Sequence, residues 1–63
     1  MAKWYAFQQD REDNDWGDGT YSWDEAVAWL EEQHADGNDE AIVATIEEGD
    51  EPVCVDETKW EDL

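Results

Sequence analysis

Ser22-Trp23-Asp24-Glu25-Ala26-Val27-Ala28-Trp29-Leu30-Glu31-Glu32-Gln33-His34 decides how the rest of this 63-residue chain is read. Ser22 followed three residues later by Glu25 matches the capping box, in which the Ser22 hydroxyl accepts from the Glu25 amide and the Glu25 carboxylate reaches back to the Ser22 amide. A helix therefore starts at Trp23. Trp23, Ala26, Val27, Leu30 and His34 recur at helical spacing and form one stripe, while Asp24, Glu25, Glu31 and Glu32 lie around the opposite side. Trp29 falls on the shoulder of the stripe, where it either covers the core edge or stays available to a partner. Asp36-Gly37-Asn38 supplies a stop with a residue that tolerates positive φ, so the predicted helix spans 23–35.

Outward from this helix the chain reads as strands. Lys3 to Gln9 is a short aromatic run that places Trp4, Ala6 and Gln8 on one side and Tyr5 and Phe7 on the other. Residues 10–20 are rich in acids and turn formers and read as a loop. Ala41 to Glu47 is apolar and β-branched, with Ile42, Ala44 and Ile46 facing one way. Glu48-Gly49-Asp50-Glu51-Pro52 turns the chain into a strand over 53–57, with Val53 and Val55 on one face and Cys54 and Asp56 on the other. Trp60 sits in a short acidic tail. The expected fold class is α+β in the order β-α-β-β, a three-stranded antiparallel sheet with one amphipathic helix on one face. The 53–57 strand is expected in the middle, because pairing the first strand with 41–47 would make a parallel pair, and parallel sheets need both faces covered. Residues 1–63 form one domain, with no repeat and no linker.

Twenty Asp and Glu against three Lys and Arg give a formal net charge of −17 on 7.3 kDa. Charge of this size speaks to solubility, association and partners rather than to fold. A disordered acidic chain would be poor in aromatic residues, whereas this one has five Trp, two Tyr and one Phe, so it is expected to fold around a small aromatic-rich core. The charge disfavours direct contact with nucleic acid and with anionic membranes. No apolar run approaches the roughly 20 residues of a membrane span, and the start Met1-Ala2-Lys3-Trp4 lacks a signal-peptide stretch. The lone Cys54 excludes an internal disulfide and a cysteine-based zinc site and fits a reducing, cytoplasmic compartment.

Catalytic chemistry finds little support. Acid pairs are so numerous that they carry no specificity, and a one-helix, three-strand domain has little room for the pocket that would separate their pKa values. Asp13-Asn14-Asp15-Trp16-Gly17-Asp18 has the composition of a calcium loop, but its spacing fails the EF-hand pattern. His34 has neither nucleophile nor second ligand beside it, Cys54 reads as a small core residue, and Gly17 and Gly19 lie between acids that would repel phosphate. The expectation is a non-enzyme with no metal and no cofactor. Its charge suits a basic, nucleic-acid-binding protein partner, because about 25–30 Å of duplex, the expected width of the domain, carries roughly 16 phosphate charges.

In size, acidity, lack of cysteine pairs and compact α+β order, the chain resembles the small phage-encoded DNA mimics, including anti-CRISPR proteins and inhibitors of restriction enzymes. The resemblance implies an inhibitor that acts in the cytoplasm of a bacterial host. It would occupy the duplex or protospacer-adjacent-motif cleft of a CRISPR effector, or the DNA channel of a nuclease. On that reading the partner-binding residues are Asp13, Asp15, Trp16 and Asp18 of the loop and Asp24, Glu25, Trp29, Glu31 and Glu32 of the helix, with Trp16 or Trp29 as exposed anchor. Two other readings stand beside it. One is a general protein-interaction module; the other is a halophilic domain whose dispersed acidity serves solvation. The sheet face without a helix leaves both a monomer and a homodimer open.

Overall fold

The computed structural model describes residues 3–13 and 16–63. In chain order the elements are β1 (Lys3–Gln8), β2 (Gly19–Thr20), α1 (Trp23–Ala35), β3 (Ile42–Glu47) and β4 (Val53–Lys59), followed by a 3-10 turn at Trp60–Asp62. The class is α+β with one helix, as expected, but the sheet has four strands in the order β2-β1-β3-β4, every pair antiparallel. Gly19 and Thr20, read from sequence as loop, pair with Ala6 and Tyr5, and the Phe7 amide extends that pairing by donating to the Asp18 carbonyl at 2.9 Å.

This short strand corrects the expected topology. With residues 10–20 taken as a plain loop, α1 would run antiparallel to β1, and the next strand would come back parallel to it. Instead the chain returns along β1 through β2 before the helix begins. α1 therefore runs in the direction of β1, and β3 comes back antiparallel, from Gln8↔Ile42 to Lys3↔Glu47. The strand at 42–47, not the one at 53–59, is central beside β1. β4 lies on an edge and is longer than the expected 53–57.

The alternation of β1 and β3 sorts their side chains onto two covered faces. On one, Tyr5, Phe7 and Val43 pack with Ala26 and Leu30 of α1 and with Trp29 and Trp60. On the other, Ala6, Ala44 and Ile46 pack with Trp4, Cys54 and Trp16. The second face, expected to be bare, is covered by the chain between β1 and β2, and Gln8 Nε2 fastens that cover by donating to the Asp13 carbonyl. The argument for a homodimer through an open face loses its ground. Leu30, Ile42, Val43 and Ile46 are the largest fully buried side chains, each worth about 1.5–3 kcal/mol of transfer free energy. Register shifts between Thr45 and Ile46, so that Thr45 faces Asp56 while Ile46 faces Cys54. Val55 is the extra residue of this bulge. Cys54 and Asp56, expected on one face, lie on opposite faces.

The helix bounds match the expected 23–35. Its N-cap keeps one arm of the capping box: Ser22 Oγ accepts from the Glu25 amide at 3.4 Å. The other arm is rerouted, with Glu25 Oε2 accepting from the Thr20 hydroxyl at 2.6 Å and that hydroxyl accepting from the Ser22 amide at 3.1 Å. At the C-terminus Gly37 takes φ +88°. The Gly37 and Asn38 amides donate to the His34 and Gln33 carbonyls, which completes a Schellman motif. Asn38 Nδ2 then donates to the Gln9 carbonyl at 3.0 Å, tying the helix end to the end of β1.

Gly19 is required by space. A Cβ there would sit 2.3 Å from the Tyr5 carbonyl oxygen and 2.5 Å from the Trp4 ring. Gly19→Ala is therefore expected to destabilise the fold by about 1–3 kcal/mol through overpacking against backbone. Gly49→Ala, with nothing within 4 Å of the added carbon, should stay within roughly 0.5 kcal/mol of the parent. Urea denaturation of both variants measures the contrast, and equal stabilities would overturn the account of β2.

Candidate functional site

The structure divides the expected binding residues between the two sides of the sheet. Asp24, Glu25, Glu31 and Glu32 are exposed on α1. Asp18 is exposed just before β2, Asp13 is half-buried, and Asp15 lies outside the described residues. Trp16 packs on the face opposite α1, so the loop and helix acids do not surround one shared aromatic centre. Neither expected anchor protrudes from the surface. Trp16 is half-buried over Ala6, Ala44 and Ile46. Trp29 is stacked on Phe7 with ring centroids 4.5 Å apart and planes 6° from parallel. The helical stripe has turned towards Ala26, Trp29 and Leu30, leaving Trp23 at 40% exposure with its ring edge-on to Tyr5 at 5.2 Å. Among the described residues, the large apolar side chains most exposed to solvent are Tyr21, Trp23, Val53, Val55 and Leu63.

The remaining acids are spread over the rest of the surface. Asp10, Glu12 and Glu40, with Arg11, line a depression of about 360 Å³ where β1 ends. Glu47, Glu48, Asp50 and Glu51 occupy the opposite end of the sheet, and Asp56 and Glu57 lie on the β4 edge. His34 is exposed, with Nδ1 2.8 Å from Asp39 Oδ1 and its ring stacked on Trp60 at 5.1 Å. Trp60, read from sequence as part of a tail, thereby seals the helix-side core. Among the described residues no group of three or more His, Cys, Asp or Glu is placed to hold a metal ion, and no helix is long and apolar enough to cross a membrane. Asn14 and Asp15 of the calcium-like stretch lie outside the described residues. Asp10 Oδ1 caps the following turn by accepting from the Glu12 and Asp13 amides, both at 2.9 Å.

A groove that sequence reasoning did not find opens beside β2. It is an open depression of about 630 Å³ lined by Trp4, Trp16, Tyr21, Glu48 and Pro52, with Gly17, Gly19 and Gly49 along it. A volume of this size is in the range of small-ligand sites. The Tyr21 hydroxyl donates to Glu48 Oε1 across 27 residues of sequence. Trp16 Nε1 is buried without a hydrogen-bond partner among the described residues. The separate turns at 16–21 and 48–52 carry no common motif, which is why the groove was not legible beforehand.

No family model, curated protein or solved structure matches this chain.

Two titrations report on this region. The hydrogen bond to Glu48, and then its negative charge, raise the Tyr21 phenol above its ordinary value of 10.0. A folded value above the unfolded one means that the bond's contribution is complete below about pH 10 and fades as pH rises through the raised value. Glu48→Gln should lower the Tyr21 midpoint in an NMR-monitored titration; an unchanged midpoint would show that the pair does not form. Cys54 is also raised, chiefly by burial, with a backbone hydrogen bond at Asp56 opposing and the charges of Glu57 and Asp56 adding. At pH 7.5 its thiol should react with a disulfide reagent more slowly than the same thiol in urea-unfolded chain, because the thiolate is the nucleophile.

Proposed function

We propose that this chain is an acidic inhibitor that stands in for duplex DNA on a basic nucleic-acid-binding protein, a CRISPR effector or a nuclease, inside a bacterial cell. The observation that supports the reading is charge per length. The molecule measures 36 × 24 × 19 Å, and 36 Å of duplex carries roughly 21 phosphate charges at one per ~1.7 Å of axis, against 20 carboxylates here. The acids lie at both ends, on the outer face of α1 and on the β4 edge, so charge is presented around the body rather than as a single patch. Inhibition is competitive: carboxylates pair with Lys and Arg that otherwise grip phosphate, and the field steers association strongly at low salt. With Trp16 and Trp29 committed to packing, the apolar anchor falls to Trp23 and Tyr21 at the start of α1.

A second reading is favoured by the same dispersal. Acids dispersed over α1, both ends of the sheet and the β4 edge are also what solvation in concentrated salt requires, with no partner at all.

A pull-down from bacterial lysate at low salt, followed by elution with rising salt or with duplex DNA, separates the readings. Release of a nuclease or CRISPR effector by moderate salt and by duplex supports mimicry. A salt-resistant partner without nucleic-acid function would assign an interaction module, and folding only in concentrated salt would assign solvation. For a captured partner, Asp24→Lys, Glu31→Lys and Glu32→Lys together should weaken inhibition at least about tenfold more than Asp50→Lys with Glu51→Lys. Equal loss from both sets would remove the outer face of α1 from the interface.

A further inference from the structure

The geometry points to the groove beside β2 as a receptor for one arginine side chain presented by a protein partner. Its lining combines aromatic rings with a carboxylate. Trp4, Trp16 and Tyr21 supply aromatic rings, and Glu48 supplies a half-buried carboxylate that is already a hydrogen-bond acceptor for the Tyr21 hydroxyl. Aromatic rings attract cations through their quadrupole, and tryptophan does so best. A carboxylate at the same place adds a charged acceptor. Of the cationic side chains, arginine fits both, because its planar guanidinium can stack on an indole while donating two parallel hydrogen bonds to a carboxylate; the ammonium of lysine is a compact, strongly hydrated point charge.

The remaining lining favours a polypeptide as the source. Gly17, Gly19 and Gly49 border the groove, and the space around a Cβ on Gly49 is empty, so a peptide backbone can approach closely there. The net charge of −17 draws in a basic segment and repels a ligand that carries its own carboxylate. The inference goes beyond the duplex reading and does not rest on it: a failure of DNA competition leaves the occupancy of the groove to be measured separately.

The experiment is a titration of the 15N-labelled protein with N-acetyl-arginine amide at low salt, followed through the indole and backbone amide signals. Shifts are expected at Trp4, Trp16, Tyr21 and Gly49, and the isosteric citrulline amide should produce none of comparable size. Glu48→Gln should weaken binding about tenfold or more, as the loss of a charged hydrogen bond implies. Tyr21→Phe, which keeps the ring and releases the carboxylate, should bind at least as well as the parent. It also serves as the folded control if the Glu48 variant is destabilised. Glu12→Gln with Glu40→Gln removes charge at the far end of the sheet and should leave the groove shifts in place. Shifts spread along α1, equal binding of citrulline amide, or an unchanged affinity in Glu48→Gln with intact fold would each overturn the assignment. Free L-arginine binding as tightly as the blocked amide would replace the protein partner with a small molecule and overturn the source.

Discussion

Burial of β3 on both faces is the constraint from which the remaining architecture follows, with Ile42, Val43, Ala44 and Ile46 all at 1% exposure or less. A strand of this kind needs two covers, and a chain with one helix has only one regular element to offer. The second cover is improvised from the connection between β1 and β2. It lays Trp16 over Ala6, Ala44 and Ile46 and is fastened by Gln8 to the Asp13 carbonyl. Because Trp16 is needed there, it cannot also be a protruding anchor. The indole hydrogen, without a partner among the described residues, is a polar penalty accepted for that burial.

The distribution of charge follows from the same division. Two apolar layers leave few positions at which a carboxylate could be buried, and among the described acids only Asp13, Glu47 and Glu48 are even half-covered. The others project into water at the ends, along α1 and on the β4 edge, where mutual repulsion is screened by solvent and salt. The edge strand β4 carries Asp56, Glu57 and Lys59 together with the Val55 bulge, and such charges and bulges discourage pairing with a second chain.

Much of this was legible in the residues, and the failures have physical causes. The helix was readable to its ends because Ser22, Glu25 and Gly37 act locally, through caps that depend on neighbours within one turn. β1 and the hairpin of β3 with β4 were readable for the same reason. The central position of β3 had a signal that went unused: Ala41 to Ile46 is nearly continuous in apolar residues rather than alternating, the mark of a strand covered on both faces. Val53 to Lys59 ends in acids and a lysine, the mark of an edge. The two-residue strand Gly19–Thr20 had no periodicity to read, and with it went the direction of α1. Of the candidate site, the helix acids were found where expected, whereas the exposure of Trp16 and Trp29 depends on tertiary packing that no local pattern carries.

The pairing of β1 with β3 also sets the order in which the chain can assemble. The β3–β4 hairpin closes over the short connection at 48–52, while β1 must find β3 across a loop of roughly 30 residues, a closure that costs about 1.5 kcal/mol more in chain entropy. Local pieces, the hairpin and the capped helix, are therefore the early structures, and β1 joins late. Until it does, the backbone edge of β3 that β1 will pair with stands open in a chain whose like charges keep other copies at a distance. The acidity thus disfavours contact between copies while that edge is unpaired, whatever it does afterwards.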